Sequence, residues 1–98
     1  MTKLLFLHYY KFTKEFRENW NELQPAEWKR YNDLLKKYEL KMLNHGVPFG
    51  SEYHWVGIIE SEKGMEAWND FSRECNAYGT SLGGARADTR VEVIRAQG

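Results

Sequence analysis

Apolar and aromatic residues fill almost every position of Lys3–Phe12, the first regular stretch of the chain. In an extended strand the side chains alternate between two faces, which puts Leu5, Leu7 and Tyr9 on one face and the remaining apolar residues, with His8, on the other. Both faces of this strand are therefore apolar. A strand of this kind has to be covered on both sides, which is typical of a central position in a sheet.

Two amphipathic helices are predicted from apolar residues at helical spacing. The first begins near Pro25, because proline suits the first turn of a helix. Its apolar face consists of Trp28, Tyr31, Leu34, Leu35 and Tyr38. The second covers about Glu62–Asn76, with Ser61 as its candidate N-cap. Its apolar face consists of Met65, Trp68, Phe71 and Cys75. Thr13 can cap either a helical turn or a short helix over Lys14–Asn21, and the pattern leaves both open.

Three further strands are predicted, over Glu39–His45, Tyr53–Glu60 and Arg90–Ala96. The middle one is apolar on both faces, like the first strand of the chain. Gly57 within it marks a place where a large side chain or another backbone comes close. Asn76–Thr89 contains three glycines and no apolar period. We therefore predict a long loop there.

The predicted order of elements is β-α-β-β-α-β, in one α+β domain over residues 1–98. With right-handed crossovers, this order gives a ferredoxin-like fold whose four-stranded antiparallel sheet has the strand order 4-1-3-2 and both helices on one face. The two strands that are apolar on both faces are then the central ones. The second sheet face would be bare in a monomer, so we predict a homodimer that packs through it.

Charge and composition exclude several classes of function. The chain has 14 basic and 14 acidic residues, so no net field attracts nucleic acid or an anionic membrane surface. No apolar run approaches the roughly 18 residues that span a bilayer. Met1–Lys3 leads directly into the strand pattern rather than into a signal peptide, and we expect a cytoplasmic protein. A single cysteine, Cys75, excludes an internal disulfide and any multi-cysteine metal site.

Histidines are the first candidates for chemistry, because they titrate near neutral pH. His8 and His54 lie on the two central strands, and whether they face each other depends on a register that the sequence leaves open. They form either a polar pair in an apolar cavity or two structural hydrogen-bonding groups. His45, beside Gly46 at a turn, is predicted to face solvent. No HExxH motif or cluster of ligands at metal-binding spacing is present, so we predict no metal site.

Four segments resemble the dimeric α/β-barrel proteins, in which two ferredoxin-like sheets pack face to face around a two-fold axis. They are KLLFLHYYKF, WKRYNDLLKKYELKML, GVPFGSEYHWVGIIE and GMEAWNDFSREC. Antibiotic-biosynthesis-type and haem-degrading monooxygenases, muconolactone isomerases and stress-responsive barrel proteins share this architecture. The resemblance covers nearly all of the chain, and it implies a homodimer.

The resemblance also implies a ligand pocket between the sheet and the helices of one protomer. Candidate catalytic residues there are His8, Tyr10 and His54. Candidate substrate-binding residues are Trp28, Tyr31, Trp55, Trp68, Phe71 and Arg86. Aromatic walls with few polar groups are typical of small-molecule sites. They are equally typical of an ordinary core, and the sequence alone leaves both interpretations open.

A glycine-rich segment from Tyr78 to Arg86 is a further candidate. Its backbone N–H groups, its hydroxyls and Arg86 together would suit an anion. Its spacing matches neither a P-loop nor a dinucleotide fingerprint, so a connecting loop or lid is the competing interpretation.

Three functional hypotheses follow. The first is a homodimer that binds a small apolar or aromatic molecule, as a cofactor-free monooxygenase-like or isomerase-like enzyme. The second is a non-catalytic module for oligomerisation or partner binding, with a core filled by its own side chains. Haem binding is the third, and it would need an axial ligand facing an open cleft. We predict no cofactor, no nucleic-acid partner and no membrane association.

Overall fold

A computed structural model describes the backbone of residues 3–81 and 86–96, with side chains over 3–77 and 87–96. The strands are β1 (Leu4–Phe12), β2 (Lys41–Gly46), β3 (Trp55–Ser61) and β4 (Arg86–Arg95). The helices are α1 (Lys14–Glu18), α2 (Trp20–Lys37) and α3 (Gly64–Ser81). Among the described residues, no helix combines the length and the apolar character needed to cross a bilayer.

The four strands form one antiparallel sheet in the order β2-β3-β1-β4. This is the predicted order, and the predicted ferredoxin-like α+β fold is confirmed. β1 and β3 are the central strands, as their apolar character on both faces indicated. The register pairs Leu7 of β1 with Ile58 of β3 and with Glu92 of β4.

One face of the sheet carries the hydrophobic core. Every second residue of β1, namely Phe6, His8 and Tyr10, is buried against α2 and α3. The rings of Phe6 and Trp68 stack with their centroids 4.4 Å apart. The core cluster comprises Phe6, Tyr10, Tyr31, Leu34, Leu35, Leu40, Ile59, Trp68, Phe71 and Cys75. Apolar burial on this face holds the two long helices against the sheet.

The other sheet face carries partly buried apolar side chains together with the charged residues Glu60, Arg90 and Glu92. Residues directly opposite each other on paired strands share a face, so the register places Leu5 beside Ile94, Leu7 beside Ile58 and Tyr9 beside Val56. Ile94 is 45% exposed, and the other five are half-buried. None of the six belongs to the core cluster. We call these six residues the open face.

The first helical region departs from the prediction at its boundary. Thr13 does cap a short helix, α1, by accepting a hydrogen bond from the backbone N–H of Phe16 at 3.1 Å. The next helix, however, begins at Trp20, so that Pro25 lies inside α2 rather than at its start. The ring of Trp20 packs 5.4 Å from Phe12 and 5.5 Å from Phe16. These tertiary contacts outweigh the local preference of proline for a first turn.

The predicted loop over Asn76–Thr89 is wrong for most of its length. α3 continues to Ser81, and β4 begins at Arg86; residues 82–85 lie outside the described part of the chain. β4 pairs with β1 as far as Phe12, opposite Arg86. Backbone pairing with a long central strand extends this edge strand through a segment that has no apolar period of its own.

Candidate functional site

A cleft of about 420 Å³ lies between the sheet, α1 and the N-terminal part of α2. Five of the lining residues belong to the strands and to α1. They are Tyr10 and Phe12 of β1, Phe16 of α1, His45 of β2 and Trp55 of β3. The other five belong to α2: Trp20, Gln24, Glu27, Trp28 and Tyr31. We call this site the aromatic cleft.

Helical spacing explains the contribution of α2. Trp20, Gln24, Glu27, Trp28 and Tyr31 are separated by three or four residues or are direct neighbours, which places them along one face of the helix. On β1, Tyr10 and Phe12 are two residues apart and point to the helix-covered side of the sheet. The cleft thus lies where the N-terminal part of α2 runs past the end of β1.

Gly57 determines the position of the Trp55 indole. A Cβ atom on Gly57 would lie 2.5 Å from Cη2 of Trp55, which shows that the indole lies directly over this glycine. The predicted close approach at Gly57 is confirmed. The indole N–H of Trp55 donates to Nδ1 of His45 at 3.3 Å. The ring of His45 in turn packs 4.8 Å from Trp28.

A second group of rings lies towards α1. The rings of Phe12 and Phe16 stack with centroids 5.0 Å apart, and Trp20 packs edge-on against both. Phe12 also stacks on His54, with centroids 6.0 Å apart. Together with Trp55 of β3, the aromatic side chains of β1, α1 and α2 line one cavity.

The polar groups that line the cleft are few. They are Gln24, Glu27 and His45, with the Tyr hydroxyls directed elsewhere as described below. Glu27 forms an ion pair with Arg30 one turn further along α2, and both side chains are largely buried. A mainly aromatic wall with a small number of placed polar groups is characteristic of sites for small organic molecules.

Two tyrosines connect the cleft to buried groups behind it. The hydroxyl of Tyr31 lies 2.8 Å from Nδ1 of His8, and the hydroxyl of Tyr10 lies 2.9 Å from the Cys75 sulfur. Burial raises the pKa of the Tyr31 phenol well above its ordinary value. Tyr31 therefore keeps its proton at neutral pH, and its hydroxyl remains a hydrogen-bonding group within the protein.

The structure brings together four of the predicted site residues: Tyr10, Trp28, Tyr31 and Trp55 line the cleft. Three others lie behind it. His8 is 3% exposed and meets Tyr31, Trp68 stacks on Phe6, and the ring of Phe71 packs 5.4 Å from that of Tyr31. These three residues are buried behind the cleft and do not line it.

His54 lies at the end of the sheet, away from His8. Its Nδ1 accepts a hydrogen bond from the backbone N–H of Phe12 at 2.9 Å. Burial, together with the charges of Arg17 and Lys11, lowers the pKa of His54. A neutral imidazole is what this acceptor role requires. The two histidines therefore do not form the polar pair that one sequence interpretation envisaged.

The glycine-rich candidate cannot be placed in the same way. All side chains of the segment from Tyr78 to Arg86 lie outside the described side chains. Over the part of the chain that is described, no group of three or more His, Cys, Asp or Glu residues is arranged to hold a metal ion.

Sequence reasoning missed six lining residues: Phe12, Phe16, Trp20, Gln24, Glu27 and His45. The apolar face of α2, extended back through Pro25, would have found Trp20 and the two polar residues. His45 is exposed, as predicted, but it also forms part of the cleft wall. Its partners Trp28 and Trp55 are distant in sequence, so no local signal identifies it.

No protein-family model and no curated protein matches the sequence. Solved structures do match the fold. One is a dimeric ferredoxin-like protein of unknown function from Thermobifida fusca, with a TM-score of 0.53, 15% identity, and coverage of 97% of this chain and 92% of that chain. The chain has the fold of the dimeric ferredoxin-like proteins.

Two further structures with this fold are oxygenases by name. SnoaB, a cofactor-independent oxygenase from Streptomyces nogalater, matches with a TM-score of 0.60 and 10% identity over 98% of this chain and 94% of its own. An antibiotic biosynthesis monooxygenase matches with a TM-score of 0.52 and 16% identity over 100% of both chains. The structural resemblance predicted from the sequence is confirmed, and at these identities it concerns the fold.

Proposed function

We propose that the protein binds a small, largely apolar ring compound in the aromatic cleft. The observation that carries this proposal is an open volume of about 420 Å³ with mainly aromatic walls. Ligand sites in proteins usually have volumes of roughly 300 to 1,000 Å³. Aromatic side chains recognise ring compounds through apolar burial and offset or edge-on ring contacts.

The alternative, a module whose interior is filled by its own side chains, applies to a different part of the molecule. Phe6, Ile59 and Phe71 are fully buried and fill the space between the sheet and the long helices. The space between α1, α2 and the end of β1 is not filled in this way. The presence of this open volume favours ligand binding over a purely structural role.

A cofactor-free oxygenase or an isomerase is the reaction class that we propose for a bound ligand. Its support is the fold shared with a cofactor-independent oxygenase. Among the predicted catalytic residues, Tyr10 lines the cleft, whereas His8 reaches it through the Tyr31 hydroxyl. A ligand in the cleft would contact the rings of Tyr10 and Tyr31, whose hydroxyls are directed to Cys75 and His8 behind the cleft. The cytoplasmic location stays a prediction from the sequence.

Ligand binding is tested by titrating the protein with 2-naphthol while tryptophan emission is recorded. We expect saturable quenching. Trp28→Ala should weaken the affinity by about fivefold or more, because it removes one aromatic wall. Phe49→Ala is the matched control, since Phe49 is fully exposed and does not line the cleft. Absence of saturable binding, or equal weakening by both substitutions, would contradict the proposal.

We also propose that two copies of the chain associate through the open face. Six apolar residues are only partly covered there, and partly covered apolar surface on one sheet face supports an interface between copies. The Thermobifida fusca protein with this fold is described as dimeric. Sedimentation at micromolar concentration should give twice the chain mass of 11.6 kDa. A stable monomer at that concentration would refute the dimer.

A further inference from the structure

The contact between Trp55 and His45 determines which nitrogen of His45 carries the proton. An indole N–H donates a hydrogen bond and cannot accept one. Nδ1 of His45, at 3.3 Å from Nε1 of Trp55, must therefore offer a lone pair. A neutral imidazole with an accepting Nδ1 has its proton on Nε2. His45 therefore has one ring N–H donor, which is Nε2–H.

Three elements hold the His45 ring in place. β2 carries His45 itself, opposite Gly57 in the pairing with β3. Trp55 of β3 lies over Gly57 and donates to His45, and Trp28 of α2 packs against the same imidazole with centroids 4.8 Å apart. A donor fixed by packing in this way loses little conformational freedom when a ligand binds.

Within the described part of the chain, the Nε2–H group of His45 has no protein acceptor. The His45 ring lines the aromatic cleft. The cleft wall contains the Glu27 carboxylate and, among its described residues, no lysine or arginine. The Glu27 carboxylate is already paired with Arg30, so an anionic group on a ligand would find no lysine or arginine in the cleft wall to pair with. An uncharged oxygen, such as that of a carbonyl group, suits this environment better.

We propose that His45 is the residue that determines ligand specificity in the aromatic cleft, by donating its Nε2–H to an uncharged acceptor oxygen on the ligand. The ligand class is then a ring compound that carries a carbonyl group. This inference rests on the proposed function, since it requires that the cleft binds ring compounds. It adds a polar requirement that aromatic walls alone would not impose.

The experiment compares two probes of the same shape, 2-acetylnaphthalene and 2-isopropenylnaphthalene, which differ in having C=O or C=CH₂. Affinities are measured at pH 8 by quenching of tryptophan emission. One neutral hydrogen bond should favour 2-acetylnaphthalene by about five- to tenfold in the wild-type protein. His45→Leu should reduce that ratio to about one while 2-isopropenylnaphthalene still binds. His45→Gln, which retains an N–H donor, should keep a measurable preference.

Gln24→Leu is the matched control, because it removes a different uncharged donor from the cleft wall. The preference should survive this substitution. Equal affinity of the wild-type protein for both probes would overturn the role of His45 while leaving ligand binding intact. A preference unchanged in His45→Leu, or one lost in Gln24→Leu instead, would overturn it as well. If the wild-type protein bound neither probe, the proposed function itself would fail, and the inference with it.

Discussion

Gly57 shows how one small residue shapes the aromatic cleft. Because it has no side chain, the indole of Trp55 lies across the strand and reaches His45 on the neighbouring strand. The sequence predicted a close approach at this glycine, since glycine inside an apolar strand usually marks one. It did not indicate that Trp55, two residues away, is the group that approaches.

The corresponding prediction concerns Gly57→Ala. The added Cβ would lie 2.5 Å from Cη2 of Trp55, a distance that carbon atoms do not tolerate, so the indole has to move. We expect a loss of stability of about 1–3 kcal/mol, as for other overpacked positions, together with weaker 2-naphthol binding. Urea denaturation and the fluorescence titration measure the two effects. Gly46→Ala is the control, because nothing lies within 4 Å of a Cβ at that position. Indistinguishable behaviour of the two variants would refute the role of Gly57.

His45 illustrates the limit of interpretation at single residues. Its neighbours in the sequence are Asn44 and Gly46, which indicate a solvent-facing turn. The residues that define its role, Trp28 and Trp55, lie on α2 and β3. A role that arises from contacts between distant segments leaves no signal in the local pattern.

At the scale of elements, α2 is attached to the sheet by more than apolar burial. The hydroxyl of Tyr31 on α2 lies 2.8 Å from Nδ1 of His8 on β1, and both residues are buried. The sequence placed Tyr31 on the apolar face of its helix and His8 on the same strand face as Phe6 and Tyr10, but it did not indicate which strand face the helices cover. It left open whether His8 is catalytic or structural, and the structure assigns it this contact with α2.

Tyr31→Phe should lower the free energy of unfolding by about 1–3 kcal/mol, because it removes a hydrogen-bond partner from buried His8 while keeping the ring. The wild-type protein should also lose stability as the pH rises above about 10, where the unfolded tyrosine ionises but the buried phenol, with its raised pKa, does not. This loss should be shallower in Tyr31→Phe by up to about 1.4 kcal/mol per pH unit.

Urea denaturation between pH 7 and pH 11 measures both effects. Tyr53→Phe is the control, since Tyr53 is at the surface and contacts Asp88 at 3.4 Å. We expect its stability at pH 7 to stay within about 0.5 kcal/mol of the wild-type value. An alkaline slope in Tyr31→Phe equal to that of the wild-type protein would show that Tyr31 is not the group responsible.

At the scale of the whole molecule, the sheet separates two different surfaces. The face covered by α2 and α3 contains the core, and the aromatic cleft opens at one end of it. The open face carries Leu7 and Ile58, paired at its centre. If two copies pack through the open face, each retains its own cleft, because the two sites lie on opposite sides of the sheet.

Ile58→Glu places a charge at the centre of the open face. We expect this variant to sediment as a monomer at concentrations at which the wild-type protein is a dimer, because burying an unpaired carboxylate is costly. Glu66→Ile is the control, because it exchanges the same two residue types in the opposite direction at an exposed helix position. It should leave the mass unchanged. A dimer that persists in Ile58→Glu would place the interface elsewhere on the molecule.

The order of the elements, the order of the strands and the two central strands were all predicted from the residue pattern. These follow from alternation, helical spacing and chain connectivity, which are local properties joined by a small number of topological rules. The start of α2, the extent of β4 and the division of the aromatic residues between a filled core and an open cleft became clear only from the folded chain. Such features depend on contacts between segments far apart in the chain, such as Trp20 with Phe12 and Trp55 with His45. A pattern of residue types predicts which face of an element is apolar, whereas the space left between two apolar faces is decided only when they pack.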